Sequence, residues 1–314
     1  MTRLMLALAV LGLLASPQSP APRAPGPLLR IDLVALDDHE KLVTDLSPKD
    51  LDIRIENYHV PVGSLTAAVD AGSERGRLIV LVLDDLAVPL DLTPRVREAA
   101  HRFVARMEAG ERMAIVSLNG DRMEATADHA RLNQRIDAYT VTAAPVQRFD
   151  DVGAHVFETM TDLARQLAED SPGRKTVVGL GAGWLFDTPV PPATGGRNLR
   201  AEWTAAMRAM GFANVVLYAI DPGGIGASRF GGAAGFARLT GGHLFVNTND
   251  VEAAADRILA EARGYYMVVV ADPPVGRKFD LRKLEIKSVR KGVTIRARQL
   301  IPGTETPQLA PRRE

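Results

Sequence analysis

At residues 78–83 the chain reads LIVLVL, six apolar side chains with no polar break. Successive side chains of a strand point to opposite faces, so such a run is hidden only in a sheet covered on both sides, as parallel strands between helices are. The run ends on Asp84 and Asp85. Beyond Thr93, a candidate N-cap with Pro94 in the first helical position, Val96, Ala99, Ala100, Phe103, Val104 and Met107 recur at helical spacing. MAIVSL at 113–118, KTVVGL at 175–180, VVLYAI at 215–220 and HLFV at 243–246 are further buried-strand candidates, and a short edge strand is expected near RMEAT. Amphipathic stretches lie between them, marked by Leu132 and Ile136, then Phe157, Met160, Leu163 and Leu167, then Leu199, Trp203, Met207 and Met210, then Val251, Ala254, Ala255, Ile258 and Leu259. Strands alternating with helices of this length predict an α/β domain over 77–262 with a doubly wound, mostly parallel sheet. The 46% apolar content is enough to cover it.

The two flanks read differently. LLRIDLVALDD at 28–38 alternates as a half-buried strand does, LDIRIEN at 51–57 is a second strand, and VPVGSLTAAV a third, which makes 28–70 an N-terminal β segment. Residues 263–301 revert to strands: YYMVVV, FDLRKLEIKS and VTIRARQL, the last two joined by a turn at Arg290-Lys291-Gly292. An isolated hairpin is marginal in water, so the two segments are expected to pack together as one small β module. Residues 302–314, with three prolines and no periodicity, read as a disordered tail. At the other end Arg3, the apolar run Leu4 to Ala15 and Ser16-Pro17-Gln18-Ser19 have the layout of a signal peptide over 1–19, followed by a linker over 20–27. The run is well short of the ~20 residues that a spanning helix needs, so no membrane span is expected after cleavage.

Lys+Arg and Asp+Glu both number 38, so nothing global draws the chain toward nucleic acid. The chain has no cysteine, which excludes disulfides, thiolate zinc sites and thiol catalysis. G-x-S-x-G, H-E-x-x-H and the G-x-x-x-x-G-K-[ST] phosphate loop are all missing, and the six histidines show no metal-ligand spacing. GLGAG at 179–183 falls short of a dinucleotide fingerprint, whose third glycine would be Trp184.

Ligands of open α/β sheets bind beyond the carboxyl ends of the strands. The candidates there are Asp84 and Asp85, the loop AAPVQRFDD at 143–151 with Asp150 and Asp151, GAGWLFD at 181–187 with Trp184 and Asp187, and DPGGIG at 221–226. These segments resemble a von Willebrand factor type A domain. From about 28 to 301 the chain is similar to the VWFA-related domain family described from Acidobacteria. The matching stretches are IDLVALDDHEKLVTDLSPKDLDIRIEN, LVLDDL, GERMAIVSL, NVVLYAIDPGG, LTGGHLFVNTND and GYYMVVV…LEIKSVRKGVTIRARQL. The resemblance implies a metal-ion-dependent adhesion site that offers Mg²⁺ hard oxygen ligands. Here Asp84 stands at its first position, but Leu86 and Val88 replace the serines, and Gly181-Ala182-Gly183 replaces the second aspartate turn. The site is therefore expected to be degenerate, with no metal and no cofactor.

The reading that follows is an exported, periplasmic or extracellular, non-enzymatic protein-binding module of adhesion type. Its binding rim would be Asp84, Asp85, Asp150, Asp151, Trp184 and Asp187. A hydrolase-type enzyme with an unrecognised acidic site and a structural cell-envelope component are the alternatives. Trp184 reads equally as a partner anchor and as a cap on the core.

Overall fold

In a computed structural model of the chain, the residues described are 28–68, 76–86, 88–141, 149–170, 173–181, 198–221, 223–224, 234–246, 250–271 and 280–303. The signal, linker and tail readings lie outside them, apart from Pro302 and Gly303. The strands are β1 (Leu28–Leu36), β2 (Leu51–Ile55), β3 (Tyr58–His59), β4 (Val62–Ala67) and β5 (Arg77–Leu83). Helix α1 (Thr93–Ala105) leads to β6 (Glu111–Ser117), β7 (Arg122–Thr126), α2 (His129–Asp137), α3 (Phe149–Asp170) and β8 (Lys175–Leu180). Next come α4 (Arg200–Phe212), β9 (Val215–Ile220), α5 (Ala234–Leu239), β10 (Leu244–Phe245) and α6 (Val251–Arg263). The chain closes with β11 (Tyr266–Ala271), β12 (Leu281–Ser288), β13 (Thr294–Ala297) and β14 (Leu300–Pro302).

Three sheets result among the described residues. The central one runs β10-β9-β8-β5-β6-β7, and two four-stranded sheets run β13-β1-β11-β4 and β14-β12-β2-β3. The expectation of a doubly wound, mostly parallel fold with a small β module is corrected here. Every pairing in both four-stranded sheets is antiparallel, and the central sheet is itself mixed, with four parallel pairings and the antiparallel pairing of β6 with β7. The flanking strands are thus two full sheets rather than an appendage. At β7 the cause is local. Only a tight turn joins it to β6, closed by Gly120 N–H to Ser117 O at 3.0 Å and Ser117 N–H to Asp121 O at 2.8 Å. A parallel return would need a crossover of a dozen or more residues. Gly120, at φ 91°, supplies the left-handed residue that the turn needs.

Burial explains the sequence pattern. One face of the central sheet packs Val80, Val82, Val177 and Leu217 against Phe157, Met160, Trp203 and Met210. The other packs Ile79, Leu81, Val178 and Tyr218 against Val96, Phe103, Ile258 and Leu259. The two antiparallel sheets share a third core of Ile31, Leu33, Ile53, Ile55, Tyr266, Val268 and Leu284. β1 is not the half-buried strand that its alternation suggests, because Ile31–Leu36 are all buried. Its sheet is a middle layer. Ile31, Leu33 and Ala35 face the third core, while Asp32, on the opposite face, accepts a hydrogen bond from Asn214 Nδ2 at 2.7 Å just before β9. Among the described residues no helix is long and apolar enough to cross a membrane.

Candidate functional site

The carboxyl ends of β5, β6, β8 and β9 bring together Asp84, Asp85, Ser117, Gly181 and Asp221. Asp84 and Asp85 are buried, 0% and 5% exposed, which places both inside the rim rather than on it. Asp84 Oδ1 accepts from the Leu86 N–H at 3.1 Å, and its backbone oxygen accepts from the Tyr139 hydroxyl at 2.6 Å. Burial, followed by the Asp84 and Asp85 charges, raises the pKa of the Tyr139 phenol, so it remains a donor. Asp85 Oδ1 accepts from the Asn119 N–H at 3.0 Å, which ties the end of β5 to the turn after β6. Burial raises the Asp85 pKa from the ordinary carboxylate value, against that hydrogen bond and the charges of His155 and Arg135. Asp221 Oδ1 accepts from the Gly223 N–H at 2.8 Å, and the Gly223 oxygen accepts from Arg95 Nη1 at 3.3 Å.

Gly181 takes the small-residue place in the turn that replaces the second aspartate, and the aspartate's own place, Ala182, lies outside the described residues. A Cβ on Gly181 would lie 2.1 Å from Asp84 Cβ and 2.7 Å from Asp84 Oδ2, and the Gly181 φ of 153° would strain any side chain. The backbone of Gly181 is the wall against which Asp84 rests. This donor set does not fit a divalent cation. Leu86 and Val88 offer hydrocarbon, one Asp84 oxygen is engaged from within, and no group of three or more His, Asp or Glu able to hold a metal occurs among the described residues.

The remaining predicted positions distribute differently. Asp150 and Asp151 belong to the first turn of α3, which starts at Phe149, and not to the loop expected over 143–151. Trp184 and Asp187 lie outside the described residues. Thr93 is the first residue of α1 rather than its N-cap; Leu92 holds that place, and the buried Thr93 hydroxyl has no hydrogen-bond partner among the described residues. Sequence reasoning missed Leu90. It sits 71% exposed in the 3-10 turn Leu90–Leu92, between Asp85 and α1 on the same edge of the sheet. The apolar spelling of DDLAVPLDL was the available signal.

No protein-family model matches the chain, and no curated protein matches it. Among solved structures, the three N-terminal domains of the type V pili tip protein Mfa5 from Porphyromonas gingivalis are similar to it at 11% identity. The match covers 91% of this chain and 67% of that one, with a TM-score of 0.41. A likeness of that size is too low to argue from.

Proposed function

We propose that this chain is an exported, non-enzymatic protein-binding module, periplasmic or extracellular, of the adhesion type that its resemblance to the VWFA-related family implies. One observation supports the reading above others: at the carboxyl edge of the central sheet Asp84, Asp85 and Asp221 each accept a backbone N–H, while Leu90 beside them is 71% exposed. Carboxylates engaged in this way hold loops in place. What they leave for a partner is an apolar contact on a rigid base, and such anchors contribute most when a partner's pocket desolvates them. Nucleic acid has no part in this reading.

The test is a photo-cross-linking amino acid at position 90 of the full chain, expressed in the native host, with position 165 on α3, also exposed, as the control. A discrete adduct in the envelope or extracellular fraction from position 90, absent from position 165, is expected. If both positions give the same adducts, or neither gives any, the rim is not the binding surface.

A further inference from the structure

Among the described residues the three sheets have six edge strands, and five of them are blunted. β3 and β10 are two residues long, and Pro61 follows β3 closely. β14 ends on Pro302, whose ring packs where a Cβ on Gly211 of α4 would fall. β13 carries Arg296 and is followed by the bridge between Thr240 and Arg298. β7 carries Arg122 and Glu124. Short strands, prolines and charges are the usual means by which sheet edges avoid pairing with other chains. β4, with Val62-Gly63-Ser64-Leu65-Thr66-Ala67, has no charge and no proline, and Gly63, Ser64, Thr66 and Ala67 are exposed.

The register identifies which groups are open. β4 pairs with β11 as Ala67 with Tyr266, Thr66 with Met267, Leu65 with Val268 and Ser64 with Val269, and the ladder shifts only beyond Ser64, at Gly63. The Ala68 N–H donates to Tyr265 O at 2.8 Å. Antiparallel pairs alternate between bonded and non-bonded, so Ser64 and Thr66 also turn their backbone groups toward β11. Leu65 and Ala67 therefore turn N–H and C=O outward, and among the described residues no backbone group bonds them there.

We propose that the outer edge of β4 pairs antiparallel with β4 of a second copy of this chain, about a two-fold axis through Thr66. Leu65 of each copy then exchanges both backbone hydrogen bonds with Ala67 of the other. The two Thr66 side chains sit directly opposite, with Cα atoms about 4.5 Å apart. A second copy is an occupant that charge does not oppose and that the two-fold axis makes self-complementary. No like charges meet across this axis, whereas β7 paired with itself about Glu124 would set carboxylate against carboxylate. Opposed threonines are in addition a favourable cross-strand pair. Four regular residues bury less than the roughly 1,200 Å² of a stable interface, so association belongs at concentrations on the order of 0.1–1 mM. The inference is independent of the rim reading, since β4 belongs to a different sheet.

Sedimentation equilibrium of the full mature chain tests it, with Thr66→Lys and Thr66→Glu alone and mixed. Thr66 is exposed and keeps its bonds to β11, so both variants should retain the wild-type melting curve. The wild type should show a monomer–dimer equilibrium, each variant alone should associate about fivefold or more weakly, and the equimolar mixture should regain dimer. A wild type that stays monomeric to 1 mM, variants that dimerise as well as it does, or a mixture that fails to recover would each overturn the proposal.

Discussion

Asp85 is buried among groups that hold it in place without fully compensating its charge, and its titration should be visible in the stability of the whole chain. Its folded pKa is raised, chiefly by burial. The sign follows from linkage: the folded state holds its proton to higher pH than the unfolded state, so stability is greatest when Asp85 is protonated. The contribution of Asp85 to stability falls as pH rises from about 3.9, the unfolded value, to the raised folded value, and is constant above that. Asparagine can keep the hydrogen bond from the Asn119 N–H through its amide oxygen without the charge. Asp85→Asn should therefore be more stable than wild type at pH 7, with the difference closing as pH drops below about 4. Urea midpoints at pH 3.5, 5 and 7 would show this, and a variant less stable than wild type at pH 7 would contradict it. The presence of Asp84 and Asp85 at the end of a buried strand was legible, because LIVLVL stops on them. Their burial was not. Only the three-dimensional approach of Gly181 and Tyr139 encloses Asp84, and neither residue is near it in sequence.

At the scale of elements the same limit recurs on α6. Ala254, Ala255, Ile258 and Leu259 mark its buried stripe, and Glu261 falls seven residues after Ala254, on that stripe, where a carboxylate is 1% exposed. The signal was present in the spacing, but its meaning lay in other elements. Tyr218 of β9 donates to Glu261 Oε2 at 2.8 Å, Arg296 of β13 and Arg257 pair with Oε1, and Arg174 before β8 donates to the Tyr218 hydroxyl at 2.9 Å. Arg174 also lies over the Tyr265 ring at 5.0 Å. The network joins the central sheet to the sheet of β1, and burial raises the Tyr218 pKa so that its proton stays in place. Tyr218→Phe keeps the ring but strips one partner from a buried carboxylate and one from Arg174, whose Nε already has no partner among the described residues. The expected loss is about 1–3 kcal/mol, the cost of leaving such groups unsatisfied. A urea midpoint unchanged at constant m-value would show that the hydroxyl contributes nothing.

Across the whole molecule, the two chain ends are braided rather than adjacent. β1 lies between β13 and β11, and β2 between β12 and β3, so each antiparallel sheet is built from both ends of the sequence. The alternating patterns of LDIRIEN and LRKLEIKS made these strands legible one by one. The register was not, because Ile53 facing Ile286 and Leu33 facing Ala297 depend on contacts more than two hundred residues apart. Deleting residues 280–314 should therefore be felt first at the opposite terminus. It removes β12, β13 and β14, and with them Leu284 and Ile301 from the third core and the half-buried Ile286, Val293 and Ile295 packed on it. Ile53, Ile55 and Leu33 lose their cover as well. At about 1.5–3 kcal/mol for each large aliphatic side chain returned to water, a handful of these equals the ~5–15 kcal/mol that holds a typical domain together. The central sheet keeps the helices packed on both its faces, so it should outlast the rest. Limited proteolysis of the truncated protein should cut first within 28–68 and leave a resistant fragment spanning 76–264. If residues 28–68 stay protected after the deletion, the amino-terminal strands do not depend on the carboxyl-terminal ones for their fold, and the pairing of β1 and β2 with the last three strands cannot be what stabilises them.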